Sequence, residues 1–425
     1  MIDIKLVREN PEVIKKDLEK RGALEKISIV EKLKENDNMY RKLLSDVQKL
    51  RHERNSIAEN INRLKKEGKD ASKLLLDAKD IPKRIKENEE QTEKLQQEIR
   101  LMQMSLPNLL HGSVPVGKDD SENEEVRVVG KPPKFNFTPK SHVEICQNLG
   151  LIDFDRAAKV SGSGFFYLKG PLVLLDMALQ RFAVDFLVKK GYTAIWPPLM
   201  IRREPYEGVT DLSDFESVMY KIDSDDLYLI ATSEHAMAAM YQNEVFEKKS
   251  LPLKLCGVSP CFRREIGSHG KYTKGLFRVH NFNKVEQFLF CLPEDSWNLH
   301  EELQRNSEEL YQQLGLHYRV VNICTGDIGS IAAKKYDIEV WMADCNFREV
   351  GSNSNCTDYQ ARRLNIKYRE KEGTPPIGFL HTLNNTAIAT SRTMIAILEQ
   401  YQKSDGSVTV PKVLQPYMAG LQRIQ

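Results

Sequence analysis

The sequence predicts an α+β chain: a long antiparallel helical hairpin followed by a domain built on a mainly antiparallel β-sheet with flanking helices. Three observations carry this. Apolar residues in the first hundred positions recur every three or four residues. Beyond them, short strand-like runs follow one another with few helices between, which favours an antiparallel sheet over a doubly wound one. Neither G-x-G-x-x-G nor GxxxxGK[ST] occurs in the context that would signal a common nucleotide fold. With 425 residues the chain is long enough for two or three separate cores.

The elements follow in order. Tyr40, Leu43, Val47, Leu50, Ile57, Ile61 and Leu64 form one apolar stripe. After "KKEGKDAS" the rhythm resumes at Leu74, Ala78, Ile81 and Ile85, and again at Leu95, Ile99, Met102 and Leu106. Two heptad helices joined by a Gly-containing loop make an arm over residues 27–104, reaching about 50–60 Å at 1.5 Å per residue. Pro82 predicts a kink or a late start in the second helix. Within residues 41–69 nine basic side chains face four acidic ones. Such an excess fits either a solvated helix face or a nucleic-acid partner. The Pro-, Gly- and acid-rich stretch 107–140 reads as a linker between an N-terminal domain, 1–106, and a second domain, 141–425. In that domain "GPLVLLDMALQRFAVDFLVKKGY" (170–192) predicts a helix. Strands are expected at 227–231, 253–263, 276–290, 318–324, 337–341 and 345–350. A last helix is expected over 384–402, its start signalled by Asn385 and Thr386.

The stretch "SPCFRREIGSHGKYTKGLFRVHNFNKVEQFLF" (259–290) is unusual for strands, because its polar positions carry charges of both signs. Alternation places Arg263 and Glu265 on one face of the first strand, and Arg278, His280, Phe282, Lys284 and Glu286 on one face of the second. The loop "IGSHGKYTKG" between them suits folding over a ligand. Arginines match phosphate oxygens, a phenyl ring stacks on a purine, and a carboxylate receives an amino group. An exposed ladder of cross-strand ion pairs is the alternative reading. Thr232, Ser233 and Glu234 end another strand, while Glu349 and Ser352 offer oxygens of the kind Mg²⁺ accepts beside phosphates. Arg392 sits on an otherwise apolar helix and needs an anionic partner.

These motifs together resemble the seryl-tRNA synthetase family of class II aminoacyl-tRNA synthetases, from the opening "MIDIKLVRENPEVIK" to the last helix. "GYTAIWPPLM" with Pro198 is similar to the family's motif 1, "CFRRE…GLFRVHNFNKVEQF" to motif 2, and "NNTAIATSRTMIAILEQYQ" to motif 3. "LYLIATSEHAMAAM" is closer to archaeal and eukaryotic members. Asn281 stands where many members carry Gln. The resemblance implies a class II antiparallel sheet, with serine activated by ATP to seryl-adenylate and then passed to the terminal adenosine of tRNA(Ser), tRNA(Sec) being a candidate second substrate.

By position, the resemblance implies that Arg263 holds the α-phosphate and the seryl carboxylate, and that Glu265, Val279 and Phe282 address adenine. It gives Arg278 and Arg392 to the γ-phosphate end, and Glu349, Val350 and Ser352 to ATP, with Glu349 and Ser352 on Mg²⁺. Thr232 and Glu234 hold the serine ammonium, and Glu286, Thr386 and Asn384 lie near its hydroxyl. On the same resemblance Arg263, Arg392 and Glu349 are expected to be the catalytic groups. The same resemblance implies that the arm binds tRNA and that a homodimer forms through the region of Pro198. Two rivals remain: a class II enzyme for another amino acid, and a non-catalytic RNA-binding or coiled-coil protein.

Other classes are disfavoured. Seven cysteines without a CxxC pair argue against a disulfide framework, and no zinc site is expected. The charged N-terminus is unlike a signal peptide, and the most apolar stretch, 165–188, is broken by Lys169, Asp176 and Arg181. A cytoplasmic protein with no membrane partner is therefore expected.

Overall fold

The computed structural model describes residues 1–211, 216–265 and 275–425; of the expected ligand-covering loop, 266–275, residues 266–274 lie outside them. The chain divides into two compact units, Met1–Pro107 and Asn108–Gln425.

In the first unit two short helices, α1 (Ile4–Glu9) and α2 (Pro11–Arg21), precede α3 (Ile27–Lys66) and α4 (Ser72–Ser105). Asp3 caps α1 through the Lys5 N–H, and Pro11 opens α2 at a position that needs no amide donor. Asn36 bonds Glu98 at 3.3 Å and Arg51 bonds Glu89 at 2.7 Å, so α3 and α4 run antiparallel. Their seam buries Val47, Leu50, Ile81, Ile85 and Ile99, as the apolar stripe predicts. Forty residues of α3 span about 60 Å. Pro82 does not delay α4, which starts ten residues earlier and continues through it. The cost is one missing helical N–H, at a position where Ala78 retains access to solvent.

The second unit is organised around eight strands. They are β1 (Glu124–Val129), β2 (Thr193–Ile195), β3 (Leu253–Phe262), β4 (Asn281–Cys291), β5 (Tyr318–Asn322), β6 (Lys334–Trp341), β7 (Phe347–Asn355) and β8 (His381–Ala389). Their order is β1-β5-β6-β7-β8-β4-β3-β2, with only the β2–β3 pair parallel. The edge strand β1 comes from the stretch read as linker, where Asn108 is also buried and bonds the Ile331 and Cys356 carbonyls. Helices α5 (His142–Asn148), α6 (Pro171–Lys189), α7 (Ser233–Ala239), α8 (Ser296–Gln313), α9 (Tyr359–Leu364) and α10 (Thr390–Gln400) surround the sheet. Leu175, Leu179, Leu303, Leu383, Ile395 and Leu398 belong to one buried cluster.

Two expectations are corrected. Residues 384–389 are not the start of a helix but the end of β8; the helix begins at Thr390. β8 lies between β7 and β4 and is buried on both faces, so its sequence lacks the alternation that marks a half-exposed strand. The other correction concerns the charged strands. β3 ends at Phe262 and β4 begins at Asn281, leaving Arg263, Glu265, Arg278, Val279 and His280 on irregular chain. Glu265 adopts φ +45°, which no strand residue does.

Candidate active site

A cavity of about 320 Å³ opens on the face shared by β4, β6, β7 and β8. Alternation on β4 sends Phe282, Lys284 and Glu286 into it. On β8, Asn384 and Thr386 face it, while Asn385 points away and bonds the Leu303 carbonyl and Ser307 of α8 at 2.6 and 2.8 Å.

Two β-bulges complete the wall. Pairing steps from Val285↔Ile388 to Glu286↔Thr386, which leaves Ala387 as an extra residue. Ile388 can then enter the core while the small Ala389 lines the cavity. Likewise Ile338 pairs with Gly351 and Glu339 with Glu349, so Val350 is extra on β7. In a regular strand residues 349 and 352 would face opposite ways. The bulge brings Ser352 Oγ to 3.3 Å from Glu349 Oε1.

One end of the cavity is rich in desolvated acceptors. Thr232 caps α7 by accepting the Glu234 N–H at 3.2 Å, which fixes Glu234 at the start of that helix. Glu234 Oε1 accepts from Asn384 at 3.0 Å and from Gln360 at 3.1 Å. Burial, reinforced by the Glu286 charge and opposed by Lys284 and Gln360, pushes the Glu234 carboxyl up to about 7. Burial also raises Glu286, whose carboxylate meets Lys284 Nζ at 2.5 Å and the Thr386 hydroxyl at 3.4 Å. His235 lines the same end and burial drives it down to about 3, so it is neutral. Carboxylates held this way are suited to accept an ammonium and a hydroxyl.

The other end is cationic. Arg263 packs its guanidinium 5.3 Å from the Phe282 ring centre and reaches the Ala231 carbonyl at 3.4 Å. Arg392, from the first turn of α10, lies 4.6 Å from the Phe277 ring centre and 3.3 Å from the Glu349 carboxylate. Burial alone would raise Glu349, but Arg392, Lys335 and Arg263 outweigh it and hold the carboxyl at about 2. Although deep in the protein, Glu349 keeps 44% of its side-chain surface open to the cavity. The donor chemistry of Glu349 and Ser352 fits a hard cation that takes its remaining ligands from phosphates and water. Among the described residues no group of three or more His, Cys, Asp or Glu could hold a metal by itself.

Of the residues singled out in the sequence, Thr232, Glu234, Arg263, Glu265, Val279, Phe282, Glu286, Glu349, Val350, Ser352, Asn384, Thr386 and Arg392 all border this one cavity. Val279 joins them because the chain there is not a strand, contrary to the alternation expected for it. Arg278 is not in the cavity wall; it is 41% exposed and pairs with Glu265 at 3.2 Å.

Sequence reasoning missed Lys335 and Phe277, which also line the cavity, together with Asp337 and Gln360 behind it. Lys335 and Asp337 alternate on β6, and their spacing was the available signal. Gln360 carried none, since only the fold brings it to Glu234.

Comparison with known proteins adds to this geometry. Residues 1–110 match the family model of the seryl-tRNA synthetase N-terminal domain, and residues 218–401 match that of the tRNA synthetase class II core domain (G, H, P, S and T). The chain is 59% identical over 419 residues to the serine–tRNA ligase of Methanospirillum hungatei, covering 98% of this chain and 99% of that protein. It is 51% identical over 438 residues to the serine–tRNA ligase of Pyrococcus horikoshii, covering 98% and 96%. Among solved structures, seryl-tRNA synthetase from Pyrococcus horikoshii complexed with ATP superposes with a TM-score of 0.96 at 50% identity, covering 100% of this chain and 99% of that one. The cytoplasmic serine–tRNA ligase from Naegleria fowleri in complex with AMP gives 0.90 at 36% identity, with the same coverage.

Proposed function

The chain belongs to the seryl-tRNA synthetase family of class II ligases, and on that premise we propose that serine and ATP meet in the cavity between β4, β7 and β8. Serine is joined to tRNA in two steps. Its carboxylate attacks the α-phosphorus of ATP in line, forming the mixed anhydride and releasing pyrophosphate. The terminal adenosine hydroxyl of tRNA(Ser) then takes the seryl group and releases AMP.

Carrying this reading is the opposition of two chemistries in one cavity, desolvated carboxylates at one end and fixed cations at the other. Glu234 and Thr232 receive the ammonium, and Glu286, Thr386 and Asn384 surround the side-chain hydroxyl. A site built to bond a hydroxyl rejects an analogue lacking it far better than an apolar pocket does. Arg263 spans the serine carboxylate and the α-phosphate. Phe282, Val279 and Glu265 accept the adenine, with Arg392 and Arg278 beyond the β- and γ-phosphates. Glu349 and Ser352, with Val350 beside them, would hold Mg²⁺, which neutralises polyphosphate charge when bound. No side chain needs to act as a nucleophile: positioning and charge stabilisation supply the acceleration.

The basic face of the arm is assigned to tRNA(Ser), because a reach of about 60 Å exceeds anything the cavity needs. A second copy is placed at the region of Pro198, where Trp196 is 73% exposed and Met200 46%. No described helix is long and apolar enough to cross a membrane, and a cytoplasmic location is part of the same reading.

The test is ATP–pyrophosphate exchange with each of the twenty amino acids. Serine is expected to support exchange at least ~100-fold better than alanine. Equal exchange with alanine, or preferential exchange with another amino acid, removes the assignment.

A further inference from the structure

A buried pair outside the cavity fixes the chain that enters it. His142, the first residue of α5, and Glu399, near the end of α10, are 2% and 1% exposed. Glu399 Oε1 accepts both the His142 backbone N–H at 2.9 Å and its ring Nδ1–H at 2.8 Å. The other oxygen, Oε2, accepts the Ala343 N–H at 2.8 Å. The far side of the imidazole is used as well, since the Leu276 N–H donates to Nε2 at 3.3 Å. An amide donor at Nε2 requires that nitrogen to be bare, so the proton sits on Nδ1 and points at Glu399. The partners thus set the tautomer.

What hangs on that bond is the return of the chain into the site. Leu276 is followed by Phe277, whose ring packs on the Arg392 guanidinium, and two residues later by Val279 in the cavity wall. Arg392 and Glu399 stand seven residues apart on α10, two helical turns. One helix therefore carries the arginine at one end and the anchor of the segment packed on it at the other. Gly275, at φ +79°, passes so close to the ring that an added Cβ would collide with His142 Nε2 and with Val143.

We propose that His142 is a positioning residue for the nucleotide half of the site: oriented by Glu399, it pins the Leu276 amide and so holds Phe277, Val279 and Arg392 in register with ATP. The inference rests on the assignment of ATP to this cavity. It predicts that disturbing His142 changes the use of ATP and leaves the use of serine alone, because Glu234, Glu286 and Thr386 lie on other elements.

Two substitutions separate the halves of the imidazole. Glutamine places a hydrogen-bonding atom near the Nε2 position and can still accept from Leu276; asparagine keeps a donor toward Glu399 but cannot reach Leu276. In serine-dependent ATP–pyrophosphate exchange, His142→Asn is expected to raise the KM for ATP about tenfold, with the KM for serine within about twofold. His142→Gln should recover most of that loss. Hydrogen exchange of the peptide spanning 275–282 should quicken in His142→Asn and return toward wild type in His142→Gln.

Should His142→Asn fail to fold, Gly275→Ala pushes on the same nitrogen from the other side and is expected to raise the KM for ATP selectively. Equal rises in both KM values, or equal losses in the two His142 variants, would make the pair merely structural and overturn the proposal, as would an ATP KM unchanged by Gly275→Ala. Wild-type protein that exchanges no pyrophosphate with serine would instead overturn the underlying assignment of the cavity.

Discussion

Glu234 and Glu349 are the same side chain in the same cavity, yet they are driven in opposite directions. Glu234 is pushed up to about 7, mainly by burial and then by its neighbour Glu286. Glu349 also lies deep in the protein, but Arg392, Lys335 and Arg263 reverse the effect of burial and hold it at about 2. Burial alone therefore does not define the cavity; the placement of four cations does. Lys284 is already taken by Glu286 at 2.5 Å, whereas Arg263, Arg392 and Lys335 converge around Glu349. One end gains by receiving a positive ligand. The other holds an anion among cations, which is what the proposed polyphosphate and its metal would require.

The harshest way to break this contrast is to remove the cation nearest both ends. Arg263→Ala should lower kcat/KM for pyrophosphate exchange by about 10³-fold or more, roughly 4 kcal/mol of transition-state stabilisation. Near-normal exchange would show that Arg263 is not the pivot. Next comes Glu349→Gln, which keeps the shape and deletes the charge. A fall of about 10²-fold in kcat is expected, with a higher Mg²⁺ concentration needed for half-maximal rate. An unchanged Mg²⁺ titration would move the metal elsewhere.

The smallest effect sharpens the other end. On the proposed reading, a serine ammonium would bind the Glu234 carboxylate and not the protonated acid. With a carboxyl titrating at about 7, the ionised fraction rises from pH 6 to pH 8, so the KM for serine should fall about tenfold over that range. In Glu234→Gln the profile should be flat and the KM uniformly high. The sign for stability is opposite. The folded chain holds this proton more tightly than the unfolded one, so the empty protein loses stability as pH climbs from the ordinary carboxylate range towards 7.

Much of this contrast was legible before any coordinates. Arg263, Glu286 and Arg392 stand out because charged residues in an apolar rhythm demand a reason. The arm is equally readable, since a heptad stripe such as Val47–Leu50 persists over many turns. Asn384 and Thr386 do border the cavity but were assigned to the wrong element. A central strand carries apolar or buried polar residues on both faces, and "NNTA" looks like a helix cap when the partners β7 and β4 are unseen. Lys335 and Gln360 were missed for a different reason. Nothing local distinguishes Gln360, which matters because α9 delivers it to Glu234; the alternation of Lys335 with Asp337 was visible, but Lys335 matters because β6 lies beside the bulged β7.

The extra residues Ala387 and Val350 make the site a matter of odd and even positions. Pairing either one into the ladder, without shortening the strand, would act on the cavity like several substitutions at once. A regular ladder that paired Ala387 would turn Ile388 toward the cavity in place of Ala389, and one that paired Val350 would send Glu349 and Ser352 to opposite sides of the sheet. Loops between these strands can lengthen or shorten while the counting inside them is kept. Sequence drift in such a protein should therefore keep each bulge together with its extra residue, between Glu349 and Ser352 and between Thr386 and Ala389, or lose the two at once.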